Sequence, residues 1–200
     1  MNLVLKKIKA KAHLDESLDM DNKEALGRVF AELSPAFSSV ERLFGSVMYF
    51  SDLEFLAIDS DSIELSARNP KGCEVYTQRL LDLQGHILAA FGRPEGAKRF
   101  AIEHSYKLTL GVQPELSKAI SANQDEDVKL EPQLMGGHFT HQSRNVGVVL
   151  AESGDDGYDV ATFANIPAND ITQVFPVLDS AALSLARFLA RSHGLEVDGV

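Results

Sequence analysis

Residues Tyr76–Gly111 read YTQRLLDLQGHILAAFGRPEGAKRFAIEHSYKLTLG, and the stretch changes period twice. Over roughly 74–91, Leu80, Leu83, Ile87, Leu88 and Phe91 recur at helical spacing, which predicts an amphipathic helix closing at Gly92. Gly92-Arg93-Pro94 supplies a turn. From Phe100 to Val112 the period falls to two, which predicts a strand with Ser105, Lys107 and Thr109 on one face.

The same two rules organise the flanks. In LVLKKIKAKAHL (3–14), Ile8, Ala10, Ala12 and Leu14 alternate with Lys7, Lys9, Lys11 and His13, the pattern of a half-buried strand. Cap-type residues 19–22 precede KEALGRVFAEL, where Leu26, Val29, Phe30 and Leu33 predict a helical stripe ended by Ser34-Pro35. Between residues 45 and 67, SVMYF, LEFLAID and SIELSA read as a three-stranded meander, followed by a turn at 69–72. A short helix is expected over 114–122, then a polar loop, NQDEDVK. Residues 145–152 and 158–165 form a hairpin through SGDDG. A last helix capped by Asp170 and Gln173 runs to His193 and stops at Gly194, with Pro176 breaking it or marking its start.

Strands grouped in the middle and a late hairpin argue for α+β: one domain, a largely antiparallel sheet and three main helices. The expected organisation is a core over 1–168 with the 169–200 helix packed on it or on a partner. Leu178, Leu185, Phe188 and Leu189 are that helix's apolar candidates.

The formal charge of −10 argues against a general nucleic-acid coat, because phosphate contacts need basic surface. Yet Lys6, Lys7, Lys9 and Lys11 fall in the first twelve residues with no acid among them. Cys73 is the lone cysteine, so no intrachain disulfide forms. No run approaches the ~20 apolar residues of a membrane span, and no signal-like segment opens the chain, so a cytoplasmic protein without membrane contact is expected.

The layout of Leu80, Leu83-Gln84, Gly92-Arg93-Pro94, Phe100 and Lys107-Leu108-Thr109-Leu110-Gly111, with the late hairpin, resembles the two-histidine phosphoesterases (the 2′-5′ RNA ligase-like superfamily). That resemblance runs over residues 8–167. Such enzymes carry two His-x-Thr/Ser motifs: one imidazole takes a proton, the other gives one, and the hydroxyls hold phosphate oxygens. It implies His13 and Thr109 as catalytic residues, with Lys9, Lys11, Ser105 and Lys107 binding phosphate. Asp15 stands where the first hydroxyl belongs and Lys107 where the second histidine belongs. A phosphodiester, cyclic nucleotide or short RNA end is the implied ligand, held with or without turnover, and no cofactor is implied.

The plainer reading of the same residues is a pair of solvated strand faces whose lysines discourage edge pairing. A rival site is Gly136-Gly137-His138-Phe139-Thr140-His141, where two histidines three apart would bind a metal if Glu131 came near; a loop with two exposed histidines is the simpler expectation. His104 stands alone, and His86 falls on a helix surface or core edge. Phosphate-loop, dinucleotide and Gly-x-Ser-x-Gly motifs are absent, and Asp155, Asp156 and Asp159 lack a calcium-loop pattern. The second functional class is therefore a non-catalytic interaction or assembly protein, cellular or from a virion, that associates with a protein partner or with itself through the last helix.

Overall fold

The structure, a computed structural model, describes residues 1–70, 73–93, 96–114, 134–141, 144–153, 156–167 and 171–195. The polar loop, Glu131, Asp155, Asp170 and all but the first residue of the expected 114–122 helix lie outside the described residues.

The fold is α+β. Among the described residues nine strands form one antiparallel sheet: β1 (Asn2–Leu14), β2 (Ser39–Leu43), β3 (Ser46–Phe50), β4 (Glu54–Ile58), β5 (Ser62–Arg68), β6 (Ala97–Thr109), β7 (Leu134–His141), β8 (Arg144–Glu152) and β9 (Gly157–Pro167). Their spatial order is β2-β3-β4-β5-β1-β6-β9-β8-β7. Three helices accompany them among the described residues: α1 (Lys23–Leu33), α2 (Cys73–Ala90) and α3 (Ile171–Ser192). The chain divides into two compact units. The first comprises Lys7–Glu103 with Asn165–Phe175; the second comprises Met1–Lys6, His104–Ala164 and Pro176–Val200.

In the first unit, β1 buries Ile8, Ala10, Ala12 and Leu14 as its alternation requires. Asn22 caps α1 by accepting the Ala25 N–H at 3.0 Å. The buried stripe of α1 is Ala25, Val29 and Leu33; Phe30, expected inside, is 51% exposed. Its position, one residue beyond Val29, turns it about 100° round the helix and off the stripe. α2 buries Leu80, Leu83, Ile87 and Leu88. It ends as the sequence predicts: Gly92 has φ +70°, its N–H bonds the Ala89 carbonyl at 2.9 Å, and Arg93 N–H reaches Leu88 at 2.8 Å. On the far side of α2, Gly85 has open space where a Cβ would be. A helix-interior glycine costs about 1 kcal/mol relative to alanine, and no packing neighbour requires this one.

The meander β3–β4–β5 forms at the expected places. β2, SVERL, is an addition to the sequence reading: as an edge strand exposed on most positions it has no burial alternation to display. β2 joins β3 through Phe44-Gly45, a two-residue turn with φ of +51° and +85°. This is the pattern of a type I′ hairpin, which favours Asn or Gly. A phenylalanine there costs about 1–2 kcal/mol. Phe44 is also fully exposed, so packing returns none of that cost.

In the second unit, Tyr106, Leu108, Leu110, Val148, Leu150, Tyr158 and Val160 pack with Ala182, Ala186, Leu189 and Ala190 of α3. The alanine-rich face lets the helix backbone approach the sheet closely. Leu178 and Leu189 are buried as expected, but Leu185 is half-buried and Phe188 is 55% exposed. Pro176 lies inside α3, which starts earlier, at Ile171; the division between the units falls at this proline. α3 closes at Gly194 (φ +74°) with the same paired hydrogen bonds as α2.

The His138–His141 segment is strand β7, where a loop was expected. It pairs along β8, with His138 opposite Gly147 and His141 opposite Arg144. Gly136-Gly137 hides the strand signal, since glycine has neither side chain nor β-propensity.

Candidate anion-binding site

The outward face of the first unit follows from period two and the register of four strands. β1 presents Lys7, Lys9, Lys11 and His13, placed opposite Arg68, Ser66, Glu64 and Ser62 of β5. Ser66 and Glu64 stand opposite Phe55 and Ala57 of β4, which stand opposite Phe50 and Met48 of β3. Cross-strand rows result: Phe50–Phe55–Ser66–Lys9, then Met48–Ala57–Glu64–Lys11.

Electrostatics distinguishes the cations along this face. Lys9 forms an ion pair with Glu64 at 3.1 Å, so one expected phosphate ligand already has a carboxylate. Lys7 and Arg68 face each other directly, and neither has an ion pair among the described residues. Like charges directly opposite on neighbouring strands are destabilising, and an anion between them reverses the sign. These two residues border a cavity of about 320 Å³. Ser66 and the Phe50 and Phe55 rings line its floor, the ring centroids 5.2 Å apart and tilted by 48°. The 51–54 turn forms its rim. That turn is stiff: Ser51 Oγ accepts the Glu54 N–H at 3.0 Å, and Arg79 holds the Glu54 carboxylate through Nε at 3.0 Å. Asp52 also contributes to the rim, so the cavity is cationic at one side only.

His13 ends the stripe. Burial pushes its pKa below the usual 6.5, the Arg99 and Lys11 cations push it further down, and Asp61 opposes them. The imidazole is therefore neutral at pH 7. Because the folded value is depressed, His13 carries no stability penalty above 6.5 and a growing one as pH falls below it. An NMR titration should place its midpoint below 6.5, with Asp61→Asn lowering it and Arg99→Gln raising it; a midpoint above 6.5 would contradict this electrostatic account.

The other expected residues belong to the second unit. Ser105, Lys107 and Thr109 are half-buried on one side of β6, as the alternation predicted. Lys107 donates to the Ser153 carbonyl oxygen at 3.2 Å and to Ser153 Oγ, fastening β6 to the end of β8. His13, Lys9 and Lys11 are thus grouped in one unit, and Ser105, Lys107 and Thr109 in the other. Arg68, Phe50 and Phe55 escaped the sequence reading, because their relation to Lys7 depends on register. His86 is a surface residue paired with Glu32. No group of three or more metal-ligating side chains occurs among the described residues. Nor is any helix among them long and apolar enough to cross a membrane.

No protein-family model matches the chain, and no curated protein matches it. Among solved structures, the ligand-free regulatory subunit of aspartate kinase from Thermus thermophilus is similar at 14% identity and a TM-score of 0.25. The match covers 90% of this chain and 95% of that one.

Proposed function

We propose that the outward sheet face of the first unit binds a small phosphate-bearing ligand: a phosphodiester, a cyclic nucleotide or an RNA end. The observation that carries this is the Lys7–Arg68 pair, two directly opposed cations without a carboxylate partner among the described residues, at the mouth of a 320 Å³ cavity. The Phe50 and Phe55 rings beside it suit a ribose or base. His13 does not line the cavity and lies six residues along β1 from Lys7, about 20 Å at the rise of a strand, so it cannot serve a phosphate held there and the reading is of binding alone. The divergent two-histidine reading is retained in that form, with Lys107 serving as a strand fastener.

Calorimetry with inorganic phosphate, 2′,3′-cyclic AMP and a short RNA tests the proposal. Lys7→Glu and Arg68→Glu should each weaken binding by about tenfold or more, with the loss shrinking as salt rises. His13→Ala, outside the cavity, should leave affinity within about threefold. Absence of binding by all three ligands, or binding indifferent to both charge reversals, would sink the reading.

A further inference from the structure

The cavity at the Lys7–Arg68 pair has a second, acidic end. Two acids line it. Glu54 is committed to Arg79, whose Nε lies 3.0 Å from its carboxylate. Asp52 is exposed and makes no ion pair among the described residues. The cavity thus holds two uncommitted cations and one uncommitted carboxylate over a floor of Phe50, Phe55 and the 7% exposed Ser66.

Register gives the span between the two ends. The Arg68 N–H bonds the Leu53 carbonyl at 2.8 Å, so β1, β5 and the start of β4 lie side by side at Lys7, Arg68 and Leu53. Asp52 adjoins Leu53 in the β3–β4 turn. It stands one and a half to two strand spacings from the middle of the cation pair, on the order of 7–10 Å. An ammonium two carbons from its phosphate falls short of that span. A nucleotide reaches it, and brings a flat ring for the two phenylalanines.

We infer that Asp52 reads the base of the bound nucleotide and selects guanine, an inference that rests on the anion-binding reading of the same cavity. A carboxylate only accepts hydrogen bonds, so it pairs best with an edge carrying two adjacent N–H donors. Guanine presents that edge, N1–H beside the N2 amino group. Adenine and cytosine each set one amino group beside a ring-nitrogen acceptor, and uracil sets its single ring N–H between two carbonyls. Those acceptors face a carboxylate oxygen and are repelled, which is how a site rejects a wrong ligand. In a 2′,3′-cyclic phosphate both of those sugar oxygens are esterified, so the donors that differ between ligands are those of the base.

Calorimetry with inorganic phosphate and the 2′,3′-cyclic phosphates of guanosine, inosine, adenosine and uridine decides it. The wild type should bind the guanosine ligand about tenfold or more tighter than those of adenosine and uridine. Inosine, which keeps N1–H but lacks the amino group, should fall between. Asp52→Asn offers one donor and one acceptor, the match for adenine, and asparagine suits a turn, so preference should pass to the adenosine ligand. Asp52→Ala should erase the preference, while inorganic phosphate binds as well as before or more tightly because a nearby negative charge is gone. Lys7→Glu should weaken all five probes. Nucleotides that need Lys7 but show no base preference, or a guanosine preference that survives both changes at Asp52, overturn the inference and leave the anion site standing. Absence of binding by every probe removes both.

Discussion

Gly157→Ala is expected to destabilise the second unit by about 3 kcal/mol or more, an unusually large loss for one added methyl group. A Cβ at this position would overlap the Leu108 carbonyl oxygen and lie 3.0 Å from its carbon and 3.1 Å from the Thr109 Cα. All three obstacles are backbone of β6, so no side-chain rotation relieves them. The strands must separate where Asp156 O accepts the Leu110 N–H at 2.8 Å. Gly147→Ala provides the comparison, since the obstacle there is the Phe163 ring, which can turn aside. Its cost should be smaller, about 1–2 kcal/mol. Urea denaturation of both variants checks the order. A Gly157→Ala protein within 1 kcal/mol of wild type would mean that β6 and β9 are not packed this closely.

That close approach is an example of what the chain conceals when read as a sequence. Local periodicity is legible wherever one face is buried: β1, the β3–β5 meander, β6, the β8–β9 hairpin and both glycine stops at 92 and 194 appear where their residues place them. It fails where burial does not alternate. β2 is an edge, and β7 carries two adjacent glycines at 136 and 137, so neither displays a pattern. Helix faces are harder than helix existence. Phe30 and Phe188 have the right spacing by eye but fall outside stripes that alanines fill, Ala25 in α1 and Ala181, Ala182 and Ala186 in α3.

The site follows the same division. That Lys7, Lys9, Lys11 and His13 share a face is a local fact, visible in the period. Which cation is neutralised is a non-local one. Lys9 meets Glu64 and Lys107 meets Ser153, while Lys7 meets Arg68, because strands far apart in the chain settle into one register. Register follows from hydrophobic burial on the opposite face: a slip by one residue would place Ile63 and Leu65 outside. The charge pattern of the outward face is thus set by the apolar residues of the inward one.

Asp179→Ala should be the other large loss, about 2–3 kcal/mol. His104, on β6, is fully buried, with Nδ1 2.8 Å from Asp179 Oδ1 on α3. The Tyr106 hydroxyl donates to the same oxygen. A carboxylate only accepts, so Nδ1 carries the proton, and one oxygen of the half-exposed Asp179 side chain takes donors from two side chains of the sheet. A surface ion pair of this length would be worth under about 1 kcal/mol; burial of the donor partners makes this one different. Without the carboxylate, the imidazole N–H falls back on the longer contact to the Tyr106 oxygen at 3.2 Å, and α3 loses a polar tie to β6. Asp179→Asn keeps an acceptor and should cost about 1 kcal/mol, because a neutral bond replaces a charge-assisted one. Combining Asp179→Ala with His104→Leu should cost less than the sum of the single changes, since each removes one side of the same hydrogen bond. Additive losses would show that Asp179 and His104 stabilise the unit independently, and that the bond between them contributes nothing.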